Sequence, residues 1–380
     1  MDEQNSILDK VITSKQTTEM QEFNPSEIVS SLLKYLTSKE EEVLRRRFGL
    51  DGETNDTLES IGKLYQVTRE RIRQIENTAI KKLNDLGEFK KIANQLEYTI
   101  SNVIRKNGGS MEEDALLAEL LKFSSNNSLN RNCTLFILEE LLAKKILNIN
   151  PITTLKKSWS LPHVDLDFIG ETINKIKEVI KEENKPIPIE KLLDKFHQTS
   201  FYQEKKERLT EEAIISYITI SREVDKNPFG EYGLVEWGSI NPRRMRDKIY
   251  LILKKENKPL HFNKITELIN KVKFDHRIAY APTVHNELIL NNDFVLVGRG
   301  IYALQEWGYK PGVVADVLVE ILKNTNQPLT REELVNKVLE QRVVRKNTIH
   351  LALTDQSKFK RLEDKRYTLV AADPAQEKSK

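Results

Sequence analysis

TLESIGKLYQVTRERIRQIENTAIKKL, residues 57–83, sets two short amphipathic patterns around a polar turn. From Arg69 to Leu83, Ile72, Ile75, Ala79 and Leu83 recur at spacings of three and four, the signature of one helix face. Glu70, Arg73, Gln74 and Asn77 fall opposite them, with Arg69 at the entrance. Residues 57–65 predict a preceding helix with Leu58, Ile61 and Leu64 inward, and Gln66, Val67 and Thr68 form the turn. The pattern is helix-turn-helix. A helix buried on one side and bearing hydrogen-bonding heads on the other suits the DNA major groove. There arginine bonds a guanine edge through two donors, glutamine does the same with adenine, and glutamate accepts from the cytosine amino group. Lys63, Arg71, Lys81 and Lys82 are expected to face phosphates, adding salt-dependent affinity rather than sequence choice.

Working outward, residues 1–25 read as a flexible arm ending where Pro25 suits a first helical turn. The string TSKE from Thr37 is a capping box, and Val43, Leu44 and Phe48 follow at helical spacing until Gly49. This predicts a helix packed beneath the reading pair.

Residues 36–83 together, LTSKEEEVLRRRFGLDGETNDTLESIGKLYQVTRERIRQIENTAIKKL, closely resemble region 4 of the sigma-70-type primary sigma factors of bacterial RNA polymerase. The resemblance covers about an eighth of the chain, with LRRRFGL, TLESIGKLY and VTRERIRQIE in the family's order and at its spacing. It implies that Arg69, Glu70 and Gln74 read bases of the minus-35 promoter element, with Arg71 and Arg73 beside them on bases or backbone. It also implies a grip on the flap of the polymerase β subunit around Val43, Leu44 and Phe48, three residues for which a plain core role is the alternative. Sigma factors carry promoter-melting and clamp-binding segments upstream, whereas about 35 polar residues precede region 4 here. The expectation is a sigma-like reader that does not open promoters unaided.

Beyond residue 94 the chain repeats itself. IKEVIKEENKPIPIEKLLDKF (176–196), IYLILKKENKPLHFNKITELI (249–269) and VLVEILKNTNQPLTREELVNKV (317–338) share a helix, an Asn-x-Pro break and a second helix, with Pro186, Pro259 and Pro328 at the same point. EYGLVEWG (231–238) and IYALQEWG (301–308) match at their ends. NDFVLVGRG followed by IYAL predicts a β-hairpin turning at Gly298, Arg299 and Gly300. Each unit reads as three helices and a two-stranded wing. Gly108 and Gly109, with a capping box from Ser110 to Glu113, suggest a diverged fourth copy. Trp159, Trp237 and Trp307 each fall at a wing terminus and read as anchors between wing and helices.

These units resemble the winged-helix HARE-HTH domain of the RNA polymerase δ subunit and of chromatin and restriction proteins, residues 242–308 most closely. The expected architecture is mainly α: an arm (1–25), a region 4-like helix-turn-helix domain (26–92), a diverged winged helix (94–162), winged helices at 168–238, 242–308 and 313–372, and a tail (373–380). Winged helices bind DNA or proteins through the third helix and wing, so fold does not choose between them. Basic stretches hint at DNA: NPRRMRDKIYLILKKENK, KVKFDHR with Lys271, Lys273, His276 and Arg277, QRVVRK with Arg342, Arg345 and Lys346, and Arg299 at a wing tip.

The 380 residues carry 60 Lys and Arg against 57 Asp and Glu, a net charge of +3, so any nucleic-acid footprint must come from local clustering. A single cysteine, Cys133, excludes an internal disulfide framework and a Cys-based zinc site, and reads as a small buried hydrophobe. The six histidines lack metal-ligand spacing, and GRG belongs to a hairpin rather than a phosphate loop. No cofactor, metal or catalysis is expected. With no long apolar run and no secretion pattern, the expected location is the cytoplasm. The expected function is a DNA-binding transcription factor that engages double-stranded promoter DNA and RNA polymerase core in initiation. The alternative is a δ-like polymerase accessory subunit that binds the β flap without reading bases.

Overall fold

Local signals set the helix ends throughout. Pro25 opens α1 (Pro25–Leu33). Thr37 and Glu40 close the expected capping box on α2 (Ser38–Phe48): the Thr37 hydroxyl accepts from the Glu40 amide at 3.4 Å, and the Thr37 amide donates to Glu40 Oε2 at 3.0 Å. Gly49 ends the helix at φ 61°, where a Cβ would lie 2.5 Å from the Glu53 carbonyl oxygen. Thr57 caps α3 (Leu58–Tyr65) and Thr68 caps α4 (Arg69–Asp85). Between them Gln66 takes φ 56°, and the Val67 amide turns back to the Gly62 carbonyl at 2.9 Å.

Gly62 is the tight point of that turn, since a Cβ would stand 2.8 Å from the Val67 carbonyl oxygen. Gly62→Ala is expected to cost about 1–3 kcal/mol by forcing α3 and α4 apart. A urea midpoint equal to that of the parent would refute this. Val43, Ile61, Ile72 and Ile75 bury together, with Leu58, Tyr65 and Val67 partly covered around them. Leu64, expected inward, is 56% exposed. With Ile61 fixed in the core, the residue a full turn on that faces inward is Tyr65, and Leu64 falls on the open flank.

The structure, a computed structural model, describes residues 21, 23–309, 312–342 and 344–370. The expected arm (1–25) therefore lies mostly, and the tail (373–380) wholly, outside the described residues. Leu86 alone separates α4 from α5 (Gly87–Lys106), so the division expected at 92–94 falls inside a twenty-residue helix. One core runs through both segments: Leu33, Leu44 and Leu83 pack with Ile100, Ile104, Leu116, Phe136 and Trp159.

After α5 come β1 (Ser110–Glu112), α6 (Glu113–Leu120), α7 (Ser128–Phe136) continued by a π-helical turn, β2 (Leu147–Ile149) and β3 (Ser158–Ser160). Gly108 and Gly109 make the break with φ 78° and 83°. Ser110, expected as a helix cap, is instead buried in β1, and Glu112 caps α6 by accepting from the Ala115 amide at 2.8 Å.

The same order recurs three times, with one added helix. The first run is α8 (Leu166–Glu183), β4 (Ile187–Pro188), α9 (Ile189–His197), an extra α10 (Ser200–Lys205), α11 (Glu211–Ile220), β5 (Val224–Lys226) and β6 (Glu231–Leu234). The second is α12 (Met245–Glu256), β7 (Leu260–His261), α13 (Phe262–Val272), α14 (Ala281–Leu290), β8 (Phe294–Gly298) and β9 (Ile301–Leu304). In the third, α15 (Val314–Thr325), α16 (Arg331–Gln341) and α17 (Lys346–Ala352) precede β10 (Phe359–Arg361) and β11 (Tyr367–Leu369).

The Asn-x-Pro breaks have one cause. Asn184, Asn257 and Asn326 end α8, α12 and α15 in the left-handed region at φ 50°, 50° and 48°, and the proline two residues on cannot continue a helix. The sheets carry more than the expected two strands. A short strand after the first helix joins the hairpin, giving sheet orders β1-β3-β2, β4-β6-β5 and β7-β9-β8. In the last copy this strand shrinks to a bridge between Leu329 and Tyr367. Trp159 is fully buried and its indole donates to Glu113 Oε2 at 3.1 Å, while Trp307 packs half-buried on the core of its own copy.

By internal contacts the chain divides into two compact units: residues up to 225 with 232–235, and 226–231 with 236 onward. No helix among the described residues is long and apolar enough to cross a membrane.

Candidate nucleic-acid interface

Ile72, Ile75, Ala79 and Leu83 anchor α4 from below, which turns Glu70, Arg73, Gln74 and Asn77 outward as a single exposed row. Lys81 continues the row one turn beyond Asn77. Arg69 starts the helix, is exposed, and makes no ion pair among the described residues. The row is internally organised. Arg73 grips Glu70 through Nε at 2.8 Å and Nη2 at 2.6 Å, and Arg71 Nη1 donates to Gln74 Oε1 at 3.2 Å. Hydrogen bonding from Arg73 holds the Glu70 carboxyl below its usual range, and Glu70 in turn raises Arg73. Both remain charged at neutral pH. Exposed pairs of this kind are weakly held, so the heads can exchange partners with base edges at little cost.

The four expected phosphate contacts differ in availability. Lys81 and Arg71 are exposed, and Lys63 pairs, among the described residues, with Glu59, one helical turn earlier, at 3.1 Å with both side chains in solvent. Lys82 differs from the other three in having a partner on another helix. Its ammonium lies 2.5 Å from Glu40 Oε1, so it fastens α4 to the capping box of α2 instead of standing free. Burial pushes Glu40 up, but hydrogen bonds from Lys82 and Thr37 outweigh it and hold its pKa below 4.5.

A carboxyl depressed on folding stabilises fully above its unfolded pKa, and that contribution is lost as pH falls through the folded value. Glu40→Gln is therefore expected to flatten the fall in stability between neutral pH and the region below 4.5. Denaturation midpoints measured across that range check it, and parallel curves for variant and parent would refute it.

The expected polymerase-contact residues differ in exposure. Val43 and Leu44 are wholly buried, one in the small core under α3 and α4 and the other in the larger shared core. They offer no side chain to a partner. Phe48 is partly exposed, and its ring sits edge-on to Phe136 with centroids 4.9 Å apart. Beside it, Asn132 Nδ2 donates to the Gly49 carbonyl at 2.9 Å, and Ser128 donates to the Gly52 carbonyl at 2.9 Å. Helix α7 thus occupies this side of α2 and its following turn. The sequence holds no local signal for that contact, because its partners lie about eighty positions apart.

Elsewhere, Cys133 is buried, which raises its thiol pKa to about 11 and leaves it unreactive. Among the described residues no group of three or more His, Cys, Asp or Glu is placed to hold a metal ion. Arg342, part of a basic stretch, is instead buried, donating to the carbonyls of Leu296 at 2.6 Å and of Gly312.

Residues 32–85 match the family model described as sigma-70, region 4. The RNA polymerase sigma factor SigA of a Bacillus species is 49% identical over 71 residues, 19% of this chain and 19% of that protein. SigA of Clostridium acetobutylicum is 52% identical over 66 residues, covering 17% and 18%. RpoD of Neisseria gonorrhoeae is 53% identical over 57 residues, covering 15% and 9%. The likeness spans less than a fifth of the length of these relatives. The helix-turn-helix formed by α3 and α4 is thus a sigma-70 region 4 element at the head of a mainly helical chain with small sheets.

Proposed function

We propose that the chain is a DNA-binding transcription factor whose α4 reads a minus-35-like promoter sequence in the major groove during initiation, with RNA polymerase core as a second partner. The exposed row on α4 of the region 4 element carries this reading. Arg69, Glu70, Arg73 and Gln74 supply the donors and acceptors that base edges require, and Ile72 and Ile75 fix their direction from beneath. The segments after α5 are proposed as winged-helix units, 94–162, 168–238, 242–308 and 313–372. Their recurring order of helix, strand, helix, helix and hairpin supports this, and they add contact surface to the reader. A δ-like role resting on Val43, Leu44 and Phe48 draws no support from side chains that are buried or already packed.

Recovery of duplexes by the full chain from a random pool tests the proposal. Enrichment of one short motif like a minus-35 element is expected, and a recovered pool as varied as the input would overturn it. The phosphate roles separate as well. Lys81→Ala should reduce the slope of log affinity against log salt by about 0.9, and Lys82→Ala should leave it nearly unchanged because Glu40 already holds that charge. Equal slopes for the two variants would contradict the assignment.

A further inference from the structure

The three later copies each run 24 residues from the start of their third helix to the end of their hairpin, at 211–234, 281–304 and 346–369. Their charges diverge. The first stretch holds two Lys or Arg against five Asp or Glu, the second one against two, and the last six against three. Access diverges too. In the first copy α11 is used internally: Ser216 donates to the Ser110 carbonyl at 2.7 Å and Tyr217 to the Gly108 carbonyl at 2.8 Å. The second exposes Thr283, Asn286, Ile289 and Leu290 on α14, none of them charged. Only the last is both open and basic.

Two of its cations are committed, Lys358 to Asp316 at 3.2 Å and Arg366 to Asp364 at 2.6 Å. Lys346, Lys360, Arg361 and Lys365 are exposed and form no ion pair among the described residues, and Arg345 stands exposed beside them at the start of α17. Exposed, unpaired cations on a helix and its neighbouring hairpin complement a phosphate backbone, and nothing there selects a base. We propose that this surface of the last copy is a sequence-independent grip on the phosphates of duplex DNA, and that the equivalent surfaces of the two preceding copies are not. The proposal deepens the DNA-binding reading above while resting on different residues.

The test uses the full chain and a duplex lacking any minus-35-like sequence, with affinity followed from low to moderate salt. For Lys346→Gln/Lys360→Gln/Arg361→Gln, the slope of log affinity against log salt should become shallower by about 0.9 for each phosphate that is no longer neutralised, roughly two to three in all. Affinity at low salt should drop at least tenfold. Lys360→Gln alone, at an exposed strand position, should free about one phosphate, which keeps the test valid if the triple variant folds poorly.

Parent-like slopes in both variants would overturn the proposal. So would unchanged duplex binding together with failure to bind RNA polymerase core, which would assign the patch to a protein. Failure of base reading is seen separately, as Arg69→Ala and Gln74→Ala leaving sequence preference intact. That result does not touch the slope on a non-specific duplex.

Discussion

Arg69→Ala and Gln74→Ala are each expected to weaken binding to the preferred duplex by about 1–3 kcal/mol, roughly 5- to 150-fold, and to relax base preference at one position. Neither residue supports the fold. Arg69 is exposed and makes no ion pair among the described residues, and the Gln74 side chain lies at an exposed site, where its Oε1 accepts from Arg71 at 3.2 Å. The loss should therefore appear in the ratio of specific to random duplex affinity, with melting unchanged. Glu70 and Arg73 behave differently because they hold each other. Removing either frees the other, so Glu70→Ala should shift preference more than affinity. Competition titrations across single-base variants of the site decide this, and a ratio unmoved by Arg69→Ala or Gln74→Ala would end the case for base reading.

The largest effect on stability is expected at Phe136. It is 1% exposed, packs in the core shared by α1, α2, α5 and Trp159, and meets Phe48 edge-on. Phe136→Ala should cost about 3–5 kcal/mol, combining forfeited transfer energy with a cavity that neighbours on several helices cannot close. Because that core crosses from the region 4 element into the next segment, both should lose structure in one transition. Amide exchange in α4 and α6 measures this. Faster exchange in α6 with α4 untouched would show that the two segments melt independently.

Much of the fold was legible where a residue acts on its own backbone. Pro25, the Thr37 and Glu40 box, Gly49, and the prolines after Asn184, Asn257 and Asn326 all mark helix ends through local sterics and hydrogen bonds, and each lies where the sequence puts it. The hairpin at Gly298 to Gly300 was readable for the same reason. The added strands β1, β4 and β7 were not, because two or three residues cannot display an alternating pattern.

At the candidate interface the outward row of α4 followed from helical period alone. What the sequence could not reveal was spent charge and spent surface. Lys82 is bound to Glu40 forty-two positions away, and Phe48 meets a ring from α7, contacts that depend on chain return rather than on neighbours. Leu64 shows the narrower limit, since a helix of eight residues tolerates a rotation that exchanges it with Tyr65.

The core common to Leu44, Leu83, Ile100 and Phe136 also bears on how this reading head could be transplanted. Region 4 matches end near residue 85, which invites a cut just after α4. Such a cut would detach α5 and leave Leu33, Leu44 and Leu83 facing water. A graft that keeps this core closed has to reach at least Trp159, so an exchange of promoter specificity between chains has to carry the neighbouring segment along with the reader.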